Sequence, residues 1–190
     1  MAESVTAPRR FRPAAVRRFW PMALAVAMSA ATWGGSGTDD GVTSLASALS
    51  LLPLLYLLVE TFQWRRATWG VLAAGLVGFT VLEAADVVEP AAVVAGVALA
   101  VLVWGGVKGR LFRSGVLQAQ ALGMIGFGAV ALIGLVAAPD AGRYIVAAGW
   151  FAHGLWDLVH LKLDKVVLRS YAQWCAVVDI IIAAQLAFVL

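Results

Sequence analysis

The sequence predicts an all-α polytopic membrane protein: a seven-transmembrane-helix bundle with its N-terminus cytoplasmic and its C-terminus outside. Three observations carry that prediction. Of 190 residues, 62% are apolar and only 13% charged, against roughly 45–50% and about 25% in soluble domains. The apolar residues fall in seven runs near the length of about 20 that spans a bilayer. When the runs are threaded alternately, thirteen of the fourteen lysines and arginines fall on one side, as cytoplasmic loops require.

The first run, Phe19 to Gly35, follows Arg9, Arg10, Arg12, Arg17 and Arg18. Residues 1–18 therefore form a basic cytoplasmic arm, and residues 19–190 the seven-helix transmembrane domain. The second run is Thr43 to Phe62, and the third, from Thr68 to Ala85, meets the acidic Glu83, Asp86 and Glu89. Pro90 suits a first helical turn and opens the fourth run, which reaches Val107. The fifth is Val116 to Ala138, the sixth Tyr144 to Leu161 and the seventh Gln173 to Leu190. Short connections make consecutive helices antiparallel neighbours.

Inside lie the five N-terminal arginines, Arg65 and Arg66, then Lys108, Arg110 and Arg113, then Lys162, Lys165 and Arg169; only Arg143 is left outside. Trp64, Trp69, Trp104 and Tyr171 near the inner boundary fit an aromatic belt. The arginine-rich start and the small residues around Met28 also fit a cleavable signal. Cleavage there would leave six spans in the same orientation.

The composition excludes a water-soluble globule. The net charge of +3 is spread over short clusters between apolar runs, which argues against nucleic-acid binding. The single cysteine, Cys175, has no partner for a disulfide or a CxxC pair and reads as a small core residue.

Ionisable groups inside a span are costly and face the bundle interior, where they pair or do chemistry. Here they are Glu60, Glu83 at the outer end of the third run, His153, Asp157, His160 and Asp179. His153, Asp157 and His160 are spaced i, i+4 and i+7, which puts them in one helical stripe. At about 1.5 Å of rise per residue, Glu60 sits roughly 8 Å from Arg65, and Asp157 and His153 sit roughly 8 and 13 Å from Lys162. Asp179 reaches a similar level, with Gln118 and Gln120 entering from the fifth run. The inner half of the bundle thus gathers nearly all the buried ionisable groups. Tyr56, Trp150, Trp156 and Trp174 flank them, and aromatic faces attract cations; with Gln118 and Gln120 they are the expected substrate-binding walls.

An acid held neutral in an apolar pocket can protonate an alkene or epoxide of a lipid that enters from the bilayer, with aromatic walls stabilising the carbocation. In this the chain resembles the integral-membrane terpene cyclases of meroterpenoid and prenylated-indole pathways. These are small seven-helix proteins with an essential Glu late in the second helix and an Asp in the last, positions matched here by Glu60 and Asp179. The resemblance implies a membrane-embedded cyclase of prenylated lipophilic substrates that needs no cofactor or metal. Glu60 and Asp179 would supply or relay the proton, while His153, Asp157 and His160 hold them in place or take the terminal proton. The stripe itself has no counterpart in that family pattern, and the chain lacks a DDxxD motif, which disfavours ionisation of a diphosphate.

Two other classes remain. Two histidines and an aspartate on one helix, with Glu60 or Asp179 opposite, could hold zinc with an open water position, in the manner of the ceramidase-like membrane hydrolases. Those enzymes, however, combine three histidines with acids. A proton-coupled carrier would use the same groups as a relay, although the acids cluster on one side instead of crossing the membrane. A rhodopsin is excluded by the absence of lysine from the last run.

Overall fold

The computed structural model of the chain describes residues 13–31, 38–137 and 139–188, and these are helical throughout apart from short connections. Helix α1 is Pro13–Ala31, α2 Asp39–Phe62, α3 Thr68–Ala85 and α4 Pro90–Val107. A single turn, α5 (Arg110–Arg113), precedes α6 (Gly115–Val136), α7 (Pro139–Leu163) and α8 (Arg169–Phe188).

Local chemistry sets the helix ends. Thr38 caps α2, its hydroxyl accepting from Gly41 N at 3.0 Å, and Asp39 and Asp40 place negative charge on the first turn, where the helix dipole favours it. Ser114 caps α6 by accepting from Leu117 N at 3.2 Å. Pro90 opens α4 as the sequence requires. At the other end of α2, Arg110 donates to the carbonyl of Thr61 and satisfies an acceptor that the ending helix leaves free.

Five of these helices are long and apolar enough to cross a membrane: α2, the Arg65–Ala85 stretch containing α3, α4, α6 and α8. In α1 the apolar part, Phe19–Ala30, is shorter. Helix α7 is long enough but carries the polar stripe.

Helix α2 is the hub, packing on α3, α4, α6 and α7, while α7 and α8 form the most extensive pair. Chain order misleads at the N-terminus, for α1 lies along α8 instead of forming its main contact with α2. Trp20 reaches Trp69 with ring centroids 5.4 Å apart. Helix α1 begins at Pro13, within the expected arm of residues 1–18; residues 1–12 lie outside the described set.

Small residues allow the closest approaches. A Cβ on Gly142 of α7 would lie 2.6 Å from the Gly134 carbonyl oxygen of α6, so those backbones meet directly. A Cβ on Gly154 would lie 3.2 Å from Asp179 Cβ. This second contact draws α8 onto α7 at the level of the buried acids.

Candidate functional site

The stripe on α7 faces inward: His153, Asp157 and His160 are all buried, the first two completely. Asp179 of α8, also fully buried, meets them at the Gly154 contact. His153 Nδ1 is hydrogen-bonded to Asp179 Oδ2 at 2.7 Å and lies 3.3 Å from Asp157 Oδ2, so both carboxyl groups crowd one ring nitrogen. From α2, Tyr56 donates its hydroxyl to Asp157 Oδ1. Cys175, one turn before Asp179, places its sulfur 3.8 Å from Asp179 Oδ1 and 3.5 Å from the Tyr171 hydroxyl. The donor atoms of His153, Asp157, Cys175 and Asp179 all fall within 4.8 Å of one another.

Two carboxyl groups and an imidazole share this buried space, where an uncompensated charge costs several kcal/mol. The network has open valences: among the described residues, Asp157 Oδ2 and His153 Nε2 are buried without a hydrogen-bond partner. Buried polar atoms are rarely left so.

His160 belongs to a neighbouring pair. Its Nδ1 lies 2.9 Å from the Trp156 carbonyl, which can only accept, so that nitrogen carries the proton. The other, Nε2, then accepts from Gln120 Nε2 at 3.1 Å. Both nitrogens are thereby occupied, and the Tyr56 ring, 4.7 Å away between centroids, packs between His160 and the acid group.

Other expected members go elsewhere. Glu60 is half-buried on α2 and outside the cluster; its backbone carbonyl, not its carboxylate, is engaged, by Gln63 Nε2 at 2.7 Å. Glu60 follows Tyr56 by four positions, one turn further along α2 and about 6 Å nearer its end, while Tyr56 is the residue level with Asp157. Gln118 is exposed, two positions from the buried Gln120 and hence on another face of α6.

The tryptophans act as packing and seals. Trp150 donates from Nε1 to the Leu45 carbonyl at 3.0 Å. Trp156 covers His160 with centroids 5.0 Å apart, and Trp174 stacks near Trp69 and Tyr171. Tyr171, placed by its sequence position in an interfacial belt, is instead fully buried against Tyr56. Cys175 and Tyr171 are thus members that sequence reasoning missed. The i, i+4 spacing of Cys175 and Asp179 was the available signal.

An apolar cavity of about 370 Å³ opens between α2, α3 and α4. Leucines and valines line it, with Ala74, Gly75 and Gly78 making room on α3 and Trp64, Phe79 and Tyr171 as its aromatic members. None of the residues expected to bind substrate lines it. Its link to the acid group is Tyr171, which belongs to both. Comparison with protein-family models, with curated proteins and with solved structures finds no match.

Proposed function

We propose that this chain is an integral-membrane enzyme of seven spans, N-terminus cytoplasmic and C-terminus outside. In this reading it transfers a proton to an alkene or epoxide of a prenylated lipophilic substrate and guides the resulting carbocation to a cyclic product. The one-sided distribution of basic residues supports the orientation, and the five long apolar helices support the membrane setting.

The observation that carries the chemistry is the convergence of Asp157 and Asp179 on His153 Nδ1 in a fully buried space. A carboxyl group there gives its proton to the substrate carbon or epoxide oxygen. The carboxylate left behind is held by the His153 N–H and the Tyr56 hydroxyl, and deprotonation of the final cation returns a proton to the group. Asp157 and Asp179 take the central roles and His153 positions them. Glu60, which the likeness to terpene cyclases would place at the centre, does not enter this scheme. The cavity behind Tyr171 suits an apolar chain, its volume lying in the range of about 300–1,000 Å³ that holds drug-sized ligands.

The test is product analysis after supplying prenylated aromatic substrates and their epoxides to membranes containing the protein. A cyclised product that disappears in both Asp157→Asn and Asp179→Asn, each folded, supports the reading. Unchanged turnover in either variant rejects it.

A metal-dependent membrane hydrolase is the second reading, favoured by the four donor atoms of His153, Asp157, Cys175 and Asp179 lying so close together. Nitrogen, oxygen and sulfur donors in this number suit zinc. Stoichiometric zinc in the purified protein, lost in Cys175→Ala, would move the assignment to this class.

A further inference from the structure

Next to the apolar cavity lies a more open hollow of about 630 Å³ at the α2–α3 and α7–α8 connections. Trp64 lines both spaces. The hollow holds three arginines, Arg65, Arg66 and Arg169, against one acid, Asp164. Asp164 is already paired with Arg65, and Arg169 donates to the Leu161 carbonyl at 2.9 Å while keeping its charge. Arg66 is exposed and has no hydrogen-bond or ion-pair partner among the described residues. Two positive charges therefore stand uncompensated at the mouth of a space whose walls are almost wholly apolar.

The cavity is elongated. Its lining on α3 runs from Val71 to Leu82, roughly 16 Å at the helical rise, and space stays open around Gly78. An apolar slot with a cationic mouth is complementary to an amphiphile with one tail and an anionic head. Guanidinium forks match phosphate oxygens better than they match a neutral head group.

We propose that the two spaces form one binding site for a single-tailed lipid carrying a phosphate head, with the tail along α3 and the head against Arg66 and Arg169. This deepens the proposed function by giving the lipophilic substrate an anionic end, and it rests on that reading for the ligand's fate but not for its binding.

The experiment is equilibrium binding of radiolabelled hexadecyl phosphate to the full-length protein in phosphatidylcholine nanodiscs, with empty discs subtracted. Saturable binding is expected, with hexadecanol competing at least about tenfold less well and inorganic phosphate alone not competing. Arg66→Gln and Arg169→Gln should each weaken the alkyl phosphate about tenfold and leave hexadecanol unchanged. Arg66 has no partner to lose among the described residues, so its variant leaves their hydrogen bonds and ion pairs intact. Gly78→Phe, checked for folding by gel filtration, should block both alkyl ligands, with Ala74→Leu as the milder filling variant.

Equal competition by hexadecanol would overturn the proposal, as would displacement by phosphatidylglycerol at the same concentration, which would identify an ordinary two-tailed lipid contact. Full binding in both filling variants would also overturn it. Asp157→Asn separates this proposal from the enzymatic one, because it should abolish turnover while hexadecyl phosphate still binds.

Discussion

Tyr56 and Asp157, 101 positions apart in the chain, share a buried hydrogen bond where α2 crosses α7. The tyrosine also packs its ring against His160 and Tyr171, at 4.7 and 6.0 Å between centroids. Tyr56→Phe keeps that packing and removes only the hydroxyl. Asp157 then loses its single donor from α2, and a loss of about 1–3 kcal/mol is expected. Thermal unfolding in detergent reads this directly, and an unchanged midpoint would mean that the bond contributes nothing.

His153 and Asp179 should be strongly coupled. A double-mutant cycle with His153→Asn and Asp179→Asn is expected to give a coupling energy of about 1.5–3 kcal/mol, as for hydrogen bonds to charged groups. Additive single effects would mean that the 2.7 Å contact is incidental packing.

Glu60→Gln should leave both fold and turnover within a few-fold of the parent protein, because the carboxylate lies outside the acid group. Abolished turnover in a folded Glu60→Gln protein would return the initiating role to α2, as the likeness to terpene cyclases implies.

At the α2–α3 and α7–α8 connections the expected magnitudes are much smaller. Arg65 and Asp164 form an exposed ion pair, and such pairs contribute about 0.2–1 kcal/mol. Asp164→Asn should therefore cost little, the more so because Asp164 has φ 51° and asparagine tolerates the left-handed region. Asp164→Val should cost clearly more through backbone strain alone. Equal stability of the two variants would refute that account.

Gly142→Ala places a methyl group 2.6 Å from the Gly134 carbonyl oxygen and should destabilise by about 1–3 kcal/mol, as overpacking does. Gly126→Ala, where nothing lies within 4 Å, is the control. There the helix propensity of alanine should raise stability by up to about 1 kcal/mol.

Much of this organisation is legible in the sequence because a bilayer leaves few choices. Among the described residues each apolar run lies largely in a helix, and the i, i+4, i+7 spacing of His153, Asp157 and His160 turns them inward. The meeting of Asp179 with that stripe follows from depth counting. Rotation about a helix axis is less legible. Gln118 has the right depth but the wrong azimuth, which depends on which neighbour α6 packs against, and chain order does not encode that neighbour; Glu60 lies one turn past Tyr56, which takes the place beside Asp157. The same holds for α1, which joins α8 from the opposite end of the sequence. Tyr171 was hidden for another reason: a tyrosine near a basic boundary looks interfacial until its burial against Tyr56 is seen.

The polar stripe also constrains how the protein is made. Helix α7 is as long as a span, yet its histidines and aspartate keep it out of the group apolar enough to cross a membrane unaided. In a seven-span protein its passage from the translocon into lipid must wait for partners that shield those groups. The earlier α2 offers Tyr56, and the later α8 offers Asp179. In the proposed seven-span arrangement, insertion of this region would be cooperative: α7 and α8 would enter the lipid as a hairpin against a waiting α2, and truncation before Arg169 should strand α7 at the channel.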